Sequence, residues 1–428
     1  MVVVEQGKIL DILPYDARGN FRIHDIEDAS LLPGLIDPHV HINEPGRTHW
    51  EGFDTATKAA IAGGITTLVD MPLNSSPVTI STSALKEKKN ATLGQLHANV
   101  GFWGGLVPGN EHEVENLIEE GVLGFKGFLT HSGIDEFPNV TEKELRQTLP
   151  IIARYGLPVL LHCELSEKNE AWKTADKRIY ANYLASRPRH WEDNAVKLAI
   201  SLAEKYKVHI HIVHLSSSDS IAHIAEAKKR GVNITVETAQ HYLFFNAENI
   251  PDGATQFKCA PPIRELENNL KLWEALKEGI IDFVATDHSP APPELKQLSS
   301  GDFSSAWGGI ASLQFAFSAL WTAAEKKGHE LEEVVQWLCE KPSHLIDQHS
   351  RGGIRIGAAA DLVVMDTEKE FEVEQKTILH KHKTTPYLHH TLKGKVKETY
   401  IAGEKVYDRG AFTALNKGKI ISHPNGAA

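Results

Sequence analysis

Leu35-Ile36-Asp37-Pro38-His39-Val40-His41 is the stretch on which the reading of this chain turns. An apolar lead-in, Leu31-Leu32-Pro33-Gly34, runs directly into it. On an extended strand, residues two apart point to the same face, so the imidazoles of His39 and His41 can reach one ion. Imidazole suits Zn²⁺ and its first-row neighbours, and the hydrophobic approach places the pair where a buried strand ends. Histidine occurs 23 times in 428 residues, and His209-Ile210-His211 repeats the spacing. Spacing alone therefore does not single out the first pair; its position in the fold must.

Working outward, eight short β-rich apolar runs occur at residues 35–41, 66–71, 99–105, 124–128, 158–162, 208–214, 233–238 and 282–286. Helical patterns lie between them at residues 54–62, 142–155, 194–206, 218–230 and 265–278. Gly63-Gly64, Gly156, Gly231 and Gly279 stand where C-cap glycines would. Strands alternating with helices predict an α/β fold, a (β/α)₈ TIM-type barrel, with a doubly wound open sheet as the alternative. The ends differ: residues 8–13, 362–365, 396–401 and 405–407 read as strands with glycine turns. The expected organisation is a barrel over residues 34–350 beside a small β-domain built from both termini, residues 1–33 and 351–428, with a linking helix at 331–338.

Composition narrows the function classes. With 45 Lys and Arg against 56 Asp and Glu the net charge is −11, and the short basic pieces Lys86-Glu87-Lys88-Lys89 and Lys228-Lys229-Arg230 read as solvated helix faces. Nucleic acid is not an expected partner. Cys163, Cys259 and Cys339 are scattered, which suits a reducing compartment. The first residues lack a basic region followed by a long apolar one, and no stretch has the roughly 18 apolar residues a span requires. A cytoplasmic protein without membrane attachment is the expectation.

Barrel active sites assemble at the C-terminal ends of strands, and ligand-type residues recur there. His162 ends Val159-Leu160-Leu161-His162, His214 ends Ile210-His211-Ile212-Val213-His214, and Asp287 follows Phe283-Val284-Ala285-Thr286. Lys126 sits inside Gly124-Phe125-Lys126-Gly127-Phe128. Singly, each has a plain structural alternative, a hydrogen-bonded rim histidine or a lysine reaching for water. A buried amine beside positive charge favours its neutral form, and neutral lysine can capture carbon dioxide as an anionic carbamate. Four histidines, one aspartate and one such lysine suffice for a two-metal hydrolytic site.

On these residues the chain resembles the amidohydrolase superfamily over nearly its whole length, and within it the cyclic-amidase branch of dihydroorotases, hydantoinases and allantoinases. The resemblance implies that His39, His41 and Asp287 hold one divalent metal, that His162 and His214 hold the other, and that N6-carboxylysine at Lys126 bridges them. Zinc is the implied metal, with cobalt, manganese and iron compatible with the same donors. His209 and His211 would then have no metal role. Dihydroorotases resemble H-x-H-x-R, but Asn43 stands at the arginine position; hydantoinases and dihydropyrimidinases carry a tyrosine where His131 stands. Residues 43–52, 70–74, 258–264, 287–294 and 307–310 together resemble the allantoinases.

That likeness implies a small-molecule substrate and hydrolysis of allantoin to allantoate, a step of purine and ureide nitrogen catabolism. Asp287 would accept the proton of the attacking water and return it to the departing ring nitrogen. Asn74 and Ser289, with backbone near Ala260 and Gly309, would hold the polar atoms of the ring and ureide, and Arg47, Glu44 and His241 are further candidates. Trp307 would pack a lid. A hydantoinase, a dihydropyrimidinase or a dihydroorotase is the alternative enzyme. A non-catalytic scaffold relative is disfavoured because all six ligand positions are kept. The resemblance also implies a homo-oligomer, a tetramer.

Overall fold

The computed structural model describes residues 1–17, 19 and 22–423; positions 18, 20, 21 and 424–428, which the sequence reading gives to the small β-domain, lie outside the described residues. Strands β1 (Val2–Glu5) and β2 (Lys8–Ile12) form an antiparallel hairpin; only the second is predicted from sequence. Strand β3 (Ser30–Pro33) precedes the barrel. The barrel strands are β4 (Leu35–Val40), β5 (Ile65–Asp70), β6 (Asn99–Phe102), β7 (Gly104–Gly105), β8 (Phe125–Phe128), β9 (Pro158–His162), β10 (His209–Ile212), β11 (Ile234–Ala239) and β12 (Phe283–Ala285). Strands β13 (Leu362–Glu372), β14 (Thr391–Ile401), β15 (Glu404–Asp408) and β16 (Ala411–Phe412) follow it.

Parallel pairing runs β4-β5-β6 and β7-β8-β9-β10-β11-β12. The run at 99–105 is therefore split at Trp103, whose backbone N–H donates to Asp70 O at 3.1 Å and whose indole donates to Pro38 O at 2.8 Å inside the barrel. On the far side, His41 N donates to His288 O at 2.8 Å and closes β12 onto β4. Next to the split, a late chain segment is hydrogen bonded to β6: Val100 N donates to Lys419 O and Ile421 N to Val100 O, both at 2.9 Å. The antiparallel sheet β16-β15-β14-β13-β3 joins a strand from before the barrel to those after it.

The sequence explains these layers. Barrel strands are buried on both faces, so they read as continuous apolar runs rather than alternating ones. Ile36, Val69, Trp103, Leu160, Val213 and Phe283 fill one core cluster, within the barrel, while a larger cluster packs helices against its outside. The helix Arg189–Tyr206 starts earlier than its pattern suggests, and the linking helix continues through a π turn at Gln336–Glu340 to Leu345. The helix Ala316–Glu325 is missed because nearly every side chain in it is buried, which erases the 3.6-residue alternation.

Lys88 corrects the reading of 86–89 as a wholly solvated face. Its side chain is buried, and Nζ donates to Asp70 Oδ2 at 2.6 Å and to Met71 O at 3.2 Å. Asp70 Oδ1 in turn accepts from Ile42 N at 2.8 Å, which ties the loop after His41 to β5. Truncating one member of a buried pair leaves the other charge unpaired, so Lys88→Met is expected to destabilise the fold by about 3–5 kcal/mol. Denaturant unfolding reads this as a lowered midpoint, and an unchanged midpoint would show that Asp70 is satisfied without the amine.

Candidate metal centre

The C-terminal ends of the barrel strands bring His39, His41, His162, His214 and Asp287 onto the wall of one cavity of about 620 Å³. His39 and His41 leave β4 on one face, as the alternation requires, with ring centroids 5.7 Å apart. One donor atom each from His39, His41 and Asp287 lie within 4.8 Å of one another. His214 approaches His39 at 5.4 Å between ring centroids and His162 at 4.7 Å. Asn74, His214 and Asp287, all on the cavity wall, have positive φ, between 37° and 69°. Non-glycine residues in that region cost energy, and here they gather around one site.

The hydrogen bonds fix which imidazole nitrogens face the centre. His39 Nδ1 donates to the buried carboxylate of Glu237, so its Nε2 is a bare lone pair. That lone pair lies 3.2 Å from Asp287 Oδ1, and His41 Nε2 lies 3.7 Å from the same oxygen. His162 Nε2 donates to Glu164 Oε2 at 2.8 Å, leaving Nδ1 bare and 3.0 Å from His214 Nε2. Glu164 is itself held by Arg187. Asn74 lies beside His41 Nδ1 at 3.4 Å. Lone pairs and a carboxylate oxygen converging in a buried space repel one another unless a cation sits among them, so the donor set fits divalent metals.

Electrostatics agree. Burial lowers the His39, His162 and His214 pKa values, holding these imidazoles in the neutral form that binds metal. Burial alone would raise the Asp287 carboxyl, but His39, His41 and His214 hold it well below the usual range. Burial would likewise raise Glu237 and Glu164; His39 with His211, and Arg187 with His162, hold them down to about 2. Lys126 is fully buried on β8, its Nζ has no hydrogen-bond partner among the described residues, and it lies 5.1 Å from the Phe128 ring centroid. Burial pushes its amine down to about 8, against the pull of Glu237 and Asp287.

The remaining sequence candidates separate cleanly. Asn74, Ser289, Ala260 and Gly309 line the cavity. Both backbone groups of Gly309 are already engaged, its N–H with Lys258 O at 2.8 Å and its carbonyl with Lys296 Nζ at 2.7 Å. What Gly309 contributes is the missing side chain: a Cβ there would come 2.5 Å from Ser289 O. Arg47, Glu44 and His241 are not among the residues lining the cavity. Arg47 braces Asn74 O at 2.9 Å and Glu136 at 2.9 Å, and Glu44 accepts from Phe53 N at 2.8 Å to cap a helix. His241 is buried, with both ring nitrogens unpartnered among the described residues. Asn43 donates to Pro290 O at 3.3 Å and is likewise not among the lining residues, whereas His131 lines the cavity and pairs with Asp135 at 3.4 Å. Trp307 lines the cavity and packs edge-on against Trp50 with centroids 4.8 Å apart.

Glu237 and Glu164 are absent from the sequence reading. The available signal is a glutamate in the apolar strand Ile234-Thr235-Val236-Glu237, and another two residues after His162.

Comparison with known proteins supplies the wider frame. Residues 30–406 match the model of the amidohydrolase family. The chain is 45% identical over 423 residues to the allantoinase of Streptomyces avermitilis, covering 98% of this chain and 94% of that one. It is 47% identical over 408 residues to the allantoinase of Arabidopsis thaliana, covering 92% and 81%. The L-hydantoinase (dihydropyrimidinase) of Arthrobacter aurescens superposes with a TM-score of 0.92 at 28% identity, over 99% of this chain and 95% of that structure.

Proposed function

The chain belongs to the amidohydrolase family, and from that premise we propose that it hydrolyses the ring amide of allantoin, giving allantoate. The observation that carries the substrate is the near-full-length identity of 45% and 47% to two allantoinases. The wall of the site is consistent with it: His131, on that wall, occupies the position where a tyrosine would favour hydantoins.

In this reading His39, His41 and Asp287 would hold one divalent metal and His162 and His214 the other, with carbamylated Lys126 as a ligand shared between them; zinc suits these donors. Bound there, the metals supply a nucleophile at neutral pH and polarise the ring carbonyl. Everything else is done by the chain. Glu237 and Glu164 keep His39 and His162 in the tautomers that present bare nitrogens. Asp287 takes the proton of the attacking water and delivers it to the ring nitrogen as the carbon–nitrogen bond opens, so no external acid is needed. Asn74 and Ser289 receive the polar atoms of ring and ureide, with Gly309 leaving room beside Ser289. Trp307 forms an apolar part of the cavity wall, packed edge-on against Trp50.

Allantoin, hydantoin, dihydrouracil and dihydroorotate assayed side by side test the substrate. The highest kcat/KM is expected for allantoin, and preferred turnover of any of the others would overturn the assignment. The expected setting is a cytoplasmic homotetramer; among the described residues no helix is long and apolar enough to cross a membrane.

A further inference from the structure

His209 and His211 lie on β10 beside the apolar cluster inside the barrel; His211 stacks on Phe283 with ring centroids 5.2 Å apart. Burying polar groups there is costly unless each finds a partner. They do so in a single file. Glu237 accepts from His39 Nδ1 with one oxygen, and its other oxygen lies 3.2 Å from His211 Nε2. His211 Nδ1 lies 2.8 Å from Thr235 Oγ1, and the same hydroxyl lies 2.7 Å from His209 Nε2. His209 in turn lines a second cavity, of about 370 Å³, at the opposite end of the strands.

Donor and acceptor roles in this file have one consistent solution with ionised Glu237 and neutral imidazoles. A carboxylate only accepts, so His211 must donate from Nε2, which makes its Nδ1 an acceptor. Thr235 must then donate its hydroxyl proton to His211, and its oxygen must accept from His209 Nε2–H. Each link fixes the next, and the same carboxylate that starts the file fixes His39 with its proton on Nδ1 and its lone pair towards Asp287.

We propose that Glu237, His211 and Thr235, continued by His209, are positioning residues that lock the His39 tautomer and so set how tightly the centre holds its metal. This rests on the reading of His39 as a ligand. A hydroxyl three hydrogen bonds from His39 is thereby coupled to metal retention, and a histidine pair without a ligand role gains a function.

Zn²⁺ retention measured by competition with a chelator tests this on the full chain, together with unfolding midpoints. Glu237→Gln is expected to weaken Zn²⁺ binding about 10- to 100-fold. Thr235→Val keeps the shape but leaves His211 Nδ1 and His209 Nε2 without a partner, and should weaken binding about fivefold. Thr235→Ser, which restores the hydroxyl, should bind as the parent chain does. A packing role would give the reverse order, with valine tolerated and serine not. Parent-like binding by Thr235→Val, or equal weakening by valine and serine, overturns the proposal. His39→Ala separates the premise: if it retains two Zn²⁺ per chain the ligand reading itself fails, whereas its loss of metal beside an unaffected Thr235→Val rejects the file alone.

Discussion

Lys126→Ala is expected to lower allantoin hydrolysis by about 10³-fold or more, because metal-assisted activation and carbonyl polarisation together contribute several kcal/mol. The basis is the solvation of one amine. Lys126 is buried with no hydrogen-bond partner among the described residues, within electrostatic reach of His39, His162, His214 and Asp287. Carbamylated, it would offer one negative charge shared over two oxygens as a metal ligand, which alanine cannot supply. Metal analysis should find fewer than two ions per chain, while the fold survives because the removed group makes no hydrogen bond. Two tightly held metals in this variant would refute the bridging role.

Asp287→Asn should be nearly as damaging, by about 10³-fold in kcat, for a different reason. An amide oxygen can still occupy the ligand position, but it cannot take up a proton and pass it on. The expected signature is a fall in kcat with metal content largely kept and KM little changed, read from steady-state kinetics alongside metal analysis. If metal is lost as completely as from Lys126→Ala, Asp287 serves the centre as a ligand only.

The barrel was legible because its strands are buried on both faces, and buried parallel strands show as short apolar runs even in a single sequence. The convergence of His39, His41, His162, His214 and Asp287 on one cavity was legible for a related reason: polar residues at the ends of such runs are costly to bury without a partner. Legibility failed where partners come from elsewhere in space. Glu237 gives no periodic signal, and its meaning appears only once β11 lies beside His39 and His211. Lys88 belongs to a charged helix turn on the page and to a buried ion pair in the fold. Arg47 and Glu44 follow His39 and His41 closely in sequence but turn away from the cavity, Arg47 to brace the loop at Asn74 and Glu44 to cap a helix, since adjacency along a chain does not set side-chain direction after a strand has ended.

Metal titration tests the central claim most directly. Protein stripped by a chelator is given Zn²⁺ in steps while allantoate formation is followed. Activity should rise from near zero to a plateau at two equivalents per chain. A plateau at one equivalent, or hydrolysis that survives complete removal of metal, would contradict a binuclear centre built from His39, His41, Lys126, His162, His214 and Asp287.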